Sequence, residues 1–139
     1  MQKMKIGLDI HGVMDEVPEL FAVLSKTLVE AGHEVHVITG PPDGPRIREE
    51  LARLGISFTH FFSIVDYHQS IGSEIITDAK GHHYVDDYLW DKTKGDYCLR
   101  EKIDLHIDDS DSYSFFFKTP YCRFFSKNKR KYFKKNEND

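Results

Sequence analysis

Short apolar segments with strand character alternate with amphipathic segments of helical spacing along most of this 139-residue chain. Few folds accommodate that alternation. Residues 4–9 read as a first strand and residues 34–39, Glu-Val-His-Val-Ile-Thr, as a second. Residues 57–65 read as a third strand and residues 103–108 as a fourth. A helix is expected over residues 17–31, with Pro18 in its first turn, Gly32 past its end, and Val17, Leu20, Phe21, Leu24, Leu28 and Ala31 on one stripe. A second helix is expected over 45–54, started by Pro45 and stopped by Gly55. Residues 74–85 read as a small hairpin turning at Asp78-Ala79-Lys80-Gly81, residues 95–101 as a short helix, and residues 113–118 as a last edge strand. Strands joined through helices imply a Rossmann-like, three-layer α/β fold around a mainly parallel sheet.

The size fits one domain, placed at residues 1–125, and no apolar run approaches the roughly 20 residues of a membrane-spanning helix. No secretory pattern precedes the first strand, and two cysteines, Cys98 and Cys122, make no disulfide framework, so a reducing cytoplasm is expected. Charge is uneven. Residues 1–122 hold 12 Lys and Arg against 21 Asp and Glu, whereas residues 123–139 hold 7 against 2. Residues 126–139 read as a basic disordered tail. Arg123, Lys127, Lys129, Arg130, Lys131, Lys134 and Lys135, interleaved with Phe124, Phe125, Tyr132 and Phe133, form either a solvated terminus or a nucleic-acid contact.

The first strand ends on Asp9, followed by Ile10, His11 and Gly12. Open α/β sheets do their chemistry at the carboxyl ends of strands. The fourth strand ends on Asp108-Asp109, and if it neighbours the first, Asp9 and Asp108 meet at one sheet edge. Converging carboxylates repel unless a cation intervenes, and an all-oxygen donor set favours Mg2+ over zinc or copper. Asp86-Asp87 reads instead as the cap of a turn. Thr39 ends the second strand before Gly40, where a hydroxyl and free backbone N–H groups can hold an anionic oxygen, although a threonine there also suits a strand end. Lys94 stands where an ammonium can reach the strand ends, with Lys92 as its competitor. The eight histidines lack a zinc-binding spacing and read as surface or half-buried residues.

In order and strand-end placement, Asp9 with Gly12-Val13, Thr39, Lys94 and Asp108-Asp109 resemble the motifs of the haloacid dehalogenase (HAD) superfamily of phosphohydrolases. The resemblance spans residues 4–112. It implies Asp9 as the nucleophile that forms an aspartyl-phosphate. It implies Mg2+ held by Asp9, the backbone carbonyl of His11 and Asp108, with Asp109 beside them, and Thr39, Gly40 and Lys94 gripping the phosphoryl group. Family phosphatases usually place an aspartate two residues after the nucleophile as acid/base, and here that position is His11. An imidazole can donate and accept a proton near neutral pH. The alternative is a weakened HAD-like protein that binds a phosphorylated partner without turnover. The segments after the first and second strands are short, so the resemblance is to a nearly capless member. Its open site suits a phosphorylated nucleic-acid end, while a nucleotide or small phosphoester shielded by the hairpin is also accommodated.

Overall fold

The structure is a computed structural model, and it describes residues 2–125. The basic segment 126–139 lies outside the described residues. Five strands form one parallel sheet: β1 (Lys5–Leu8), β2 (Glu34–Thr39), β3 (His60–Ser63), β6 (Leu105–Asp108) and β7 (Tyr121–Arg123). Their order is β3-β2-β1-β6-β7. The chain thus winds outward from β1 first to one side and then to the other, a Rossmann-like arrangement. The direction of winding reverses between β1 and β6, and a crevice at the carboxyl ends of the strands is the usual ligand position in such sheets.

Helices α1 (Pro18–Glu30) and α2 (Pro45–Leu54) each begin with proline in the first turn, where its missing N–H is no loss. Gly55 ends α2 in the left-handed conformation, φ 75°. The larger core joins Phe21 of α1 and Ile47 and Leu51 of α2 to Leu8, Val35 and Val37 of the sheet. Alternate strand residues face the other side. There Ile38 packs with Tyr97, Cys98 and Ile103, on and just after α4 (Asp87–Arg100). Helices therefore flank the sheet on both faces.

The structure moves several boundaries. β3 is shorter than expected, because Ser63 caps a new helix, α3 (Ile64–Ser70), by accepting from Asp66 N–H at 3.1 Å. The helix expected at 95–101 starts at Asp87, because Asp86 accepts from Leu89 N–H. Asp86 is a cap, as expected, but of a helix and not of a turn. No strand forms over 113–118. That stretch holds the end of α5 (Asp111–Ser114) and a turn, and the edge strand is β7. The hairpin is present as β4 (Ile76–Thr77) and β5 (His83–Tyr84), antiparallel. Asp78 organises its tip by accepting from the N–H groups of Lys80 and His82, both at 2.9 Å. Among the described residues no helix is long and apolar enough to cross a membrane. Phe124, proposed above for nucleic-acid contact, packs edge-on against Phe21 at 5.6 Å between ring centroids. Arg123 pairs with Asp111 at 2.9 Å.

The histidines correct another expectation. His36 and His106 are completely buried, and His33 and His68 nearly so. Each is kept in the interior by a partner. His33 Nδ1 accepts from Met4 N–H, His36 lies between Tyr97 and Glu34, His68 lies between Ser73 and Thr93, and His106 bonds Asp108.

Candidate functional site

Parallel pairing sets Leu8 beside Ile107, so β1 and β6 end together. Asp9 follows at the end of β1, its N–H donating to Ile107 O at 3.1 Å. Asp108 is the last residue of β6 and is fully buried. Oxygen atoms of Asp9, Asp108 and Asp109 lie within 4.8 Å of one another. The expected convergence of these three carboxylates is present.

Lys94 reaches them from α4. Its ammonium is 3.1 Å from Asp9 Oδ1 and 2.8 Å from Asp108 Oδ2, with 1% of the residue exposed. Lys92, two positions earlier on the helix, points elsewhere and lies 4.0 Å from Asp96. Burial pulls the Lys94 ammonium toward deprotonation, but the two carboxylates more than offset this and hold its pKa above the ordinary value. Burial raises Asp9 to about 6, Lys94 opposing and Asp108 adding to the rise. Asp108 is held low, at about 2: burial raises it, but the hydrogen bond from His106 and the charge of Lys94 prevail.

Thr39 ends β2, the next strand along, and is wholly buried. Among the described residues its Oγ1 has no hydrogen-bond partner, a costly condition for a buried hydroxyl. Gly40 accepts from Ser63 Oγ and Val65 N–H through its carbonyl. A Cβ at Gly40 would stand 2.7 Å from Trp90 Cζ2, so the absent side chain makes room for the indole. Trp90 Nε1 donates to Tyr113 Oη at 2.7 Å, and the Tyr113 ring lies 5.0 Å from the Lys94 ammonium. A chain of contacts therefore runs from Gly40 through Trp90 and Tyr113 to Lys94.

His11 sits in a wide turn, Ile10–Met14, with Gly12 at φ 87°, a conformation that favours glycine. The turn is fixed by Gly12 N–H donating to Asp15 Oδ1 at 2.8 Å. The His11 side chain is 48% exposed and its Nε2 lies 3.1 Å from Glu50 on α2. It lines a cavity of about 630 Å3 together with Pro41, Arg46, Lys80, His82 and Trp90. Asp9, Asp108, Thr39 and Lys94 do not line that cavity. They lie beside it, since His11 is two residues past Asp9 and Pro41 is two past Thr39. The hairpin tip supplies one wall, so the insertion shields the space beside the strand ends.

Sequence reasoning did not single out His106, Trp90 or Tyr113. His106 had one available signal: it precedes Asp108 by two residues on a strand, which puts both on one face. The ring of His106 lies against Gly7 of β1, where a Cβ would be 2.6 Å from Nδ1.

A second group of donors, Glu34, His36 and His60, also comes within 4.8 Å. The two imidazoles stack nearly parallel, 4.1 Å apart at 5°. Their lone pairs lie in parallel planes and do not converge on a shared point. Glu34 is also close to Lys3 and Lys5. These residues form a hydrogen-bonded ion cluster on the strands' opposite end.

The carboxylate set fits a hard divalent cation: the donors are all oxygen, two of the carboxylates are buried, and a single ammonium faces those two negative charges. The sequence matches no protein-family model, no curated protein and no solved structure.

Proposed function

We propose that this chain is a Mg2+-dependent phosphohydrolase of HAD type that works through an aspartyl-phosphate on Asp9. The observation that carries the reading is the convergence of Asp9, Asp108 and Asp109 at the reversal point of the sheet, with Lys94 bridging the first two. Asp9, Asp108 and Asp109 would hold the metal, which would neutralise charge on the phosphoryl oxygens. Asp9 attacks phosphorus and the bond to the leaving-group oxygen breaks. Lys94 and the unpartnered hydroxyl of Thr39 supply a cation and a donor to the equatorial oxygens. His11, oriented by Glu50, delivers a proton to the leaving oxygen and later takes one from the water that attacks phosphorus, breaking its bond to Asp9 and releasing inorganic phosphate. An imidazole held by a carboxylate is an arrangement suited to that role.

A second reading, a phosphate-binding protein without turnover, is favoured by the burial of Asp9. It is 7% exposed and engaged by Lys94, which lowers its reach toward an incoming phosphorus. One experiment separates the two. Wild type and Asp9→Asn are assayed against p-nitrophenyl phosphate, sugar phosphates, nucleotides and phosphorylated oligonucleotides, with Mg2+ and with EDTA. Turnover that needs Mg2+ and vanishes in a folded Asp9→Asn protein is expected. Residual activity in that variant sends the nucleophile elsewhere, and a wild type inert on every substrate leaves the binding reading.

A further inference from the structure

We infer that the cavity beside Trp90 takes a nucleotide bearing a second phosphate, its ring against the indole and its second phosphate between Arg46 and Lys80. This rests on the phosphohydrolase reading for the seat of the reacting phosphate at the strand ends. The cavity, about 630 Å3, is the size of a small-molecule site. His11, two residues past Asp9, and Pro41, two past Thr39, both line it, so the segments that leave the phosphate seat also wall the cavity.

Trp90 is held twice, by its benzo edge over Gly40 and by its N–H on Tyr113, yet stays half-buried and lines the cavity. An indole fixed before binding loses little freedom when a flat ring stacks on it. Charges around the cavity are sorted. Asp43 holds Arg48 through two hydrogen bonds of 2.7 and 2.8 Å. Glu50 holds His11, and Asp78 holds His82 at 3.2 Å. Arg46 on α2 and Lys80 on the hairpin tip are exposed and make no ion pair with a carboxylate among the described residues. Two cations from separate elements on one cavity call for an anion. A nucleoside monophosphate would have its only phosphate at Asp9, and these two cations would be left without a partner. A nucleoside 3′,5′-bisphosphate and a 5′-phosphorylated dinucleotide share the required chemistry.

The chain has one tryptophan, so its fluorescence, excited beyond base absorption, reports this cavity alone. The protein is titrated in Mg2+ with ribose 5-phosphate, adenosine 5′-monophosphate, adenosine 3′,5′-bisphosphate and the dinucleotide pApA. The adenine probes are expected to quench and ribose 5-phosphate to leave emission unchanged. The better of the two probes that carry a second phosphate group should bind at least about tenfold tighter than the monophosphate, the scale of one charge-assisted contact. Which of them is better identifies the source. In Arg46→Ala/Lys80→Ala, both exposed changes, that preference should collapse toward unity. Absence of quenching by every adenine probe, or equal affinity for mono- and bisphosphate in the wild type, overturns the inference. Quenching with the bisphosphate preference but no hydrolysis of any phosphoester supports this cavity assignment and removes the phosphohydrolase reading. Asp9-dependent hydrolysis of p-nitrophenyl phosphate with no quenching does the reverse.

Discussion

Lys94 Nζ stands 2.8 Å from Asp108 Oδ2 and 3.1 Å from Asp9 Oδ1, so one buried ammonium ties together the ends of two adjacent parallel strands. Two carboxylates brought out of water need such a partner, because each alone would carry a desolvation penalty of several kcal/mol.

Lys94→Met tests that dependence. Removing one partner of a buried ion pair costs about 3–5 kcal/mol. Lys92→Met, at a half-buried side chain whose ammonium faces only Asp96 at 4.0 Å and the Tyr88 ring, should cost under about 1 kcal/mol. Denaturant unfolding of the two variants in EDTA gives the comparison. Millimolar Mg2+ should restore more stability to Lys94→Met than it adds to the wild type, since the carboxylates there lack their cation. Equal losses in the two variants would show that the ammonium is not what balances the pair.

His11 is open to test through rate. If its imidazole moves the proton, His11→Ala should lose roughly 10²–10⁴-fold in turnover, the usual weight of a positioned acid/base group. His11→Asp should retain or raise activity. Glu50→Gln should keep measurable turnover while shifting the pH profile, because the group that orients the imidazole changes. A wild-type rate that is flat between pH 5 and 8, with no response to His11→Ala, would defeat the role.

Acid should unfold the metal-free protein early. Burial lowers the pKa of both His36 and His68 below the ordinary 6.5. The unfolded chain then takes up protons that the folded one refuses. Stability is full above pH 6.5 and falls as pH drops toward the folded values, by at most about 1.4 kcal/mol per pH unit for each histidine. Asp9 has the opposite sign. Raised to about 6, it favours the folded state below that pH, and this contribution is lost as pH rises through 6. Burial lowers His106 as well, so three histidines oppose one carboxylate and a net loss is the expected direction. Urea midpoints in EDTA from pH 7.5 to 5 give the slope. A midpoint rising toward pH 5 would mean that Asp9 outweighs the histidines.

The sheet and its acidic edge were legible because strand-end carboxylates and proline- or glycine-bounded helices leave local marks. Asp9, Thr39 and Asp108 all belong to that local grammar. Lys94 and Lys92 could not be separated until the helix was known to begin at Asp87. Two positions along a helix point to nearly opposite sides, so only one of them can face the sheet. His36 and His68 left no such mark. Their acceptance depends on Tyr97 and Thr93, partners that are distant in sequence. Trp90 was hidden for the same reason, since its platform is made by Gly40 from another strand's end.

Gly7 and His106 face each other across the two central strands, and a methyl group at position 7 would stand 2.6 Å from the imidazole. Neither residue is free to change alone. Gly7→Ala forces the ring from its bond to Asp108, while a smaller residue at 106 leaves Asp108 short of a donor beside an empty slot. The two positions are coupled through one slot, so changing both together should disturb the acidic edge less than the two single changes added.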